Sequence, residues 1–142
     1  MIENKSTKNL PLVLSGPILR KMTPQKLTFW LATSQSVSLA LTLFPEAEEP
    51  VQIKPSILDA GHQIFAAANN LYFHLVVVDL DEPLPTERWI GYDLMLTPAG
   101  SNESKGWKDW APQLVYEGKD LPGFVLTSSI RRVMHGSCRK PH

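Results

Sequence analysis

The chain has 142 residues, 43% of them apolar and 20% charged, which fits one ordinary domain with a buried core and excludes wholesale disorder. Fourteen Lys and Arg balance fourteen Asp and Glu, and this neutrality excludes a dedicated nucleic-acid binder, whose basic excess would show. One cysteine excludes an internal disulfide framework. No apolar run reaches the roughly 20 residues of a membrane span, and none near the start has the length of a signal peptide. The expected setting is therefore cytoplasmic, with no membrane and no nucleic-acid partner. The charges are segregated: residues 1–45 carry five basic and one acidic side chain, residues 46–103 two and ten, and residues 104–142 seven and three.

Twelve prolines break the chain into short elements. The first, "LPLVLSGPILRKMTP", reads as two apolar pieces around a turn at Ser15, Gly16 and Pro17. "KLTFWLATS" alternates with period two and predicts a strand. "VSLALTLF" puts Val37, Leu39, Leu41 and Leu43 on one face. The short gap Ser34–Ser36 predicts that these two strands form a hairpin. "PEAEEP" is an acidic loop, and "VQIKPSIL" a short edge strand cut by Pro55. "GHQIFAAA" is ambiguous between helix and strand. Asn69 and Asn70 mark a turn. "LYFHLVVVDL" is β-branched, aromatic and nearly continuous, the pattern of a central strand buried on both faces.

"RWIGYDLML" alternates again, with Ile90, Tyr92, Leu94 and Leu96 on one face. "TPAGSNESKGWKDWAP" is a polar stretch expected to be a mobile surface loop. "QLVYEG", "FVLTS" and "SIRRVMHGSC" read as short strands. Seven to nine short strands without a long helix predict an all-β fold, an antiparallel β-sandwich of immunoglobulin or fibronectin III type. Trp30 and Tyr72 are the expected core aromatics.

Candidate chemistry is sparse. His135, Cys138 and His142 have metal-ligand side chains at spacings of three and four, but no fourth ligand is near. Arg139 and Lys140 would lower the pKa of the Cys138 thiol and attract an anion; with Arg131 and Arg132 they also read as a solvated basic tail. His74 reads as a buried core histidine or an edge residue, and His62 as a loop residue without a partner. Asp79, Asp81 and Glu82 form an acidic strand-end loop without the spacing of a calcium loop. Trp107 and Trp110 are expected to be exposed, as an interface patch. No P-loop, GxSxG, HExxH or dinucleotide fingerprint is present.

Two stretches together carry a resemblance. "SGPILRKMTPQKLTFWLATSQSVSLAL" resembles the opening of the N-terminal domain of bacterial PhoD-like phosphatases, and "RRVMHGSCRKPH" resembles the junction with their metallophosphatase domain. "GYDLML" and "LPGFVLTSSI" fall where that family has its late strands and linker. The resemblance implies a sandwich over residues 1–128, then a linker and the first strand of a catalytic domain over residues 129–142, with the rest of that domain beyond the chain. It implies that Cys138, in the GSC motif, is an iron ligand of a centre holding iron and calcium, and that the partner is the catalytic phosphatase domain of the same parent chain. A single thiolate builds no metal cluster, so the expected role of this chain is a non-catalytic accessory domain of a phosphomonoesterase or phosphodiesterase. The alternative is an independent sandwich that binds protein or glycan through its loops. The sequence leaves the oligomeric state open.

Overall fold

The computed structural model describes residues 10–138. Eight strands make two antiparallel sheets: β1 (Val13–Thr23), β2 (Lys26–Thr33), β3 (Val37–Pro45), β4 (Val51–Gln52), β5 (His62–Ala68), β6 (Leu71–Asp79), β7 (Trp89–Pro98) and β8 (Gly123–Val125). One sheet has the order β1-β2-β6-β5, the other β4-β3-β7-β8. This is the immunoglobulin order, A-B-E-D facing C-F-G with one added strand beside C. Two short helices, α1 (Pro55–Gly61) and α2 (Trp107–Trp110), lie in the connections. Neither is long and apolar enough to cross a membrane.

The alternating runs decide which face is buried. Leu27, Phe29 and Leu31 of β2 and Val76 and Val78 of β6 point inward, against Leu41 and Leu43 of β3 and Ile90, Leu94 and Leu96 of β7. All ten are at most 1% exposed, which is the burial that drives two-layer packing. In antibody domains a disulfide joins strands B and F across this layer. Here the equivalent strands β2 and β7 meet through the edge-to-face rings of Phe29 and Tyr92, 5.3 Å apart.

Several expectations are corrected. β2 and β3 form no hairpin, because the chain changes sheets between them. The Ser34 backbone and hydroxyl donate to the carbonyls of Leu12 and Pro11, beside the first sheet. Two residues on, the Ser36 carbonyl accepts from Ala99 N–H at the end of β7, in the second. Ser-Gln-Ser also lacks the glycine or asparagine that a tight hairpin turn demands. The Gly16-Pro17 turn signal is instead a kink within one long strand. Gly16 has φ +85°, and a Cβ there would lie 2.7 Å from the Trp30 carbonyl oxygen, so only glycine lets β1 continue along β2.

Of the expected core aromatics, Trp30 is displaced by one position. Trp30 lies on the outer face of β2, stacked on Phe73, while its neighbour Phe29 is the buried ring. Tyr72 is half-buried. β6 is central in its sheet but buried on one face only, since Phe73 and Val77 are half-buried and Leu75 is exposed. "GHQIFAAA" resolves to strand β5, paired with β6 across the Asn69-Asn70 turn. "QLVYEG" forms no strand, "FVLTS" contributes only Phe124 and Val125 to β8, and residues 130–138 adopt no regular structure.

Candidate functional site

Past β8 the chain is pinned once and then leaves the sandwich. Leu126 is buried, and its carbonyl accepts from Glu87 N–H at 2.7 Å. The Glu87 carboxylate accepts from Ser128 twice, from its N–H and from its hydroxyl at 3.0 Å. These bonds, the backbone one first, hold the Glu87 carboxyl below the usual carboxylate range. A shallow groove follows, lined by Glu87, residues 127–129 and the side chains of Ile130, Arg131 and Arg132.

From Ile130 to Cys138 every residue is exposed. Ile130, Val133 and Met134 are 74%, 77% and 93% exposed, although each is strongly apolar. Cys138 is a free, exposed thiol, and His135, three residues before it, is exposed as well. Arg139, Lys140 and His142 lie outside the described residues. No group of three or more His, Cys, Asp or Glu placed to hold a metal occurs among the described residues. One solvated sulfur is too few donors for iron, which takes several protein ligands in a fixed geometry.

Two of the three acidic strand-end residues are spent on surface ion pairs. Asp79 pairs with Lys26 at 3.2 Å and Asp81 with Lys54 at 2.9 Å, both pairs exposed. Such pairs contribute little to stability. The tryptophans are not the exposed patch that their polar loop suggests. The loop returns to β7 through paired bonds between Leu96 and Lys105, and this aims α2 back at the sheet. Trp107 is 5% exposed, its backbone N–H donates to Asp93 Oδ1 at 2.9 Å, and its ring packs edge-on against Tyr92 and Trp110.

The buried polar feature that sequence reasoning missed is a chain of three side chains across the first sheet. Thr33 on β2, His74 on β6 and His62 on β5 all face the interior, with Thr33 and His74 at most 1% exposed. Thr33 Oγ1 donates to the Gln35 carbonyl at 2.5 Å. Its single proton is thereby used, so it accepts from His74 Nε2–H at 2.7 Å. His74 Nδ1 is then unprotonated and accepts from His62 Nε2–H at 2.8 Å. Each link fixes which nitrogen of the next ring carries the bonding proton, and burial disfavours the charged form of both imidazoles. Burial pushes His74 down to about 4, helped by the neighbouring His62 charge. Burial lowers His62 as well, against the opposing pull of Asp59. With the Thr33 proton committed to a carbonyl and no access for substrate, the chain satisfies buried polar groups and activates no nucleophile.

Comparison of the chain with protein-family models, with curated proteins and with solved structures gives no match in any of the three.

Proposed function

We propose that this sandwich is the non-catalytic accessory domain of a PhoD-like metal-dependent phosphoesterase, and that Cys138 is one ligand of the metal centre in its catalytic domain. The observation that carries the reading is the exposed segment after β8. Three large apolar side chains within five residues stand in water, and apolar surface of this kind is normally covered by a partner. They immediately precede the His135-Gly136-Ser137-Cys138 run that supports the family resemblance. The partner that fits is the catalytic domain of the same parent chain, which would bury Ile130, Val133 and Met134 and supply the ligands that the described residues lack. The binding-module alternative loses its aromatic surface, since Trp107 is buried and Trp110 packs against the core.

The 142-residue chain is expected to release no nitrophenol from a chromogenic phosphodiester, whatever metal is added. In the parent protein with its catalytic domain attached, Cys138→Ala is expected to lose both bound iron and turnover while the sandwich keeps its fold. Undiminished iron content and turnover in that variant would remove Cys138 from the metal centre.

A further inference from the structure

The two sheets have four edges, and three are protected against pairing with another strand. β1 carries Pro17, Arg20 and Lys21 and three interruptions of its register. β4 is two residues long and β8 three. Bulges, proline, lysine and shortness are the devices by which natural sheets blunt their edges. β5 has almost none of them. It runs seven residues without proline or a Lys, Arg, Asp or Glu, and its one register shift comes near its end, between Ala66 and Ala68.

β5 also overhangs the sandwich. All six residues after His62 are exposed, on both faces of the strand, so the second sheet does not cover it. A strand laid along its outer edge meets no obstruction on either side. Alternate residues of an edge strand turn N–H and C=O groups outward, ready to bond. The face it offers is apolar: Phe65 is 66% exposed, and beside it lie Phe73, Leu75 and Trp30.

We propose that β5 pairs antiparallel with β5 of a second copy of this chain, giving a twofold dimer with one continuous eight-stranded sheet. The charge pattern selects a second copy over an unrelated strand. A twofold contact sets the residue at its axis opposite its own counterpart and the adjacent residues close to theirs, so a charge at the centre of the pairing repels itself. From Ala60 to Val78 there is no Lys, Arg, Asp or Glu, in a chain with 28 such residues. Pairing centred on Phe65 places Phe65 opposite Phe65 and Ile64 opposite Ala66, apolar against apolar, with the uncharged Gln63 and His62 opposite Ala67 and Ala68. It also joins the two Phe65–Phe73–Trp30 faces into one. Because each copy uses its single unprotected edge, assembly closes at two chains and does not extend to a fibre.

The test is sedimentation velocity of the 142-residue chain over a concentration series, with Phe65→Lys alongside. The expected result is a species of twice the 15.9 kDa chain mass that grows with concentration and stops there. Like charges directly opposite one another destabilise a strand pair, so Phe65→Lys is expected to weaken dimerisation by at least about tenfold. Phe65 is exposed in the single chain, so its circular dichroism should be unchanged. Phe65→Glu, which would set two carboxylates opposite one another at the same exposed position, serves as the second variant if the first misfolds. A wild-type chain that stays monomeric throughout overturns the proposal. So does a dimer that both charged variants at Phe65 leave intact, since its interface would lie elsewhere, and so does a ladder of larger species.

Discussion

Gly61→Ala is expected to unfold the protein or to leave it barely folded, although it adds one methyl group. Gly61 ends α1 where the chain turns into β5. A Cβ built there would lie 1.7 Å from the Val77 carbonyl oxygen and 2.8 Å from its carbonyl carbon. Both are backbone atoms of β6, which is held by β2 on one side and β5 on the other, with Val77 itself opposite Thr28. The obstacle therefore cannot rotate away as a side chain would. The helix end and the start of β5 must move instead. That movement breaks the pairing of His62 with Val76, pulls His62 from His74, and lifts Leu58 of α1 out of a site where it is 1% exposed.

Overpacking alone costs about 1–3 kcal/mol. Losing a buried leucine contact adds about 2–5 kcal/mol. Together these approach the whole stability of a typical domain, roughly 5–15 kcal/mol. Gly136→Ala is the matched control, because nothing lies within 4 Å of a Cβ at that position. Urea denaturation should show a collapsed or absent transition for Gly61→Ala and an unchanged midpoint for Gly136→Ala. A midpoint for Gly61→Ala close to that of the wild type would mean that the α1–β5 corner yields easily, and the account of β5 as a fixed edge would fail with it.

The strands legible in the sequence were those whose alternation answers to a single buried face. β2, β3 and β7 carry inward leucines, isoleucine, phenylalanine and tyrosine at every second position, and burial follows that phase. β5 was illegible because it is exposed on both faces, so no face imposes a pattern on its alanines. That ambiguity hid the histidine pair. With Asn69-Asn70 as the turn of a β5–β6 hairpin, the register sets His62 opposite Val76 and Ile64 opposite His74, which makes the two histidines diagonal neighbours. The pair was deducible once the strand was assigned.

The partnering of strands was less legible than the strands themselves. Period-two alternation says that a strand has an inside; it does not say in which sheet it pairs. Hence β2 and β3 were expected side by side, whereas Ser34 and Ser36 hold them in different layers. Trp107 misled for a related reason. A polar loop predicts exposure on average, but the Leu96–Lys105 bridge folds this one back and buries its aromatic end. For "QLVYEG", Leu114 and Tyr116 remain 63% and 69% exposed, because alternation without a free sheet edge beside it does not make a strand.

Acid is expected to destabilise the fold through the histidine chain well before most carboxylates titrate. In the unfolded chain both imidazoles take up protons near 6.5. In the fold, His74 resists protonation until about 4. Its Nε2 proton is fixed toward Thr33, so a second proton must enter at Nδ1, where it meets the Nε2–H of His62. His62 can take its proton at Nδ1 and keep its bond to His74, and so it titrates first; its charge then lowers His74 further. Because the unfolded state binds more protons between these values, stability is complete above about pH 6.5, falls as pH drops toward about 4, and levels off below that.

The His74 gap corresponds to on the order of 3 kcal/mol by pH 4. His74→Leu isolates it. Leucine is apolar in an apolar layer, Thr33 keeps its bond to the Gln35 carbonyl, and half-exposed His62 can turn its N–H to water. Carboxylate titration is common to both proteins and cancels in the difference. Urea midpoints measured from pH 7.5 to 4.5 should fall more steeply for the wild type than for His74→Leu, with the two curves diverging from about pH 6.5 downward. Parallel curves over that interval would mean that His74 is protonated in the fold as readily as in water, and the directional chain from His62 through His74 to Thr33 would then be wrong.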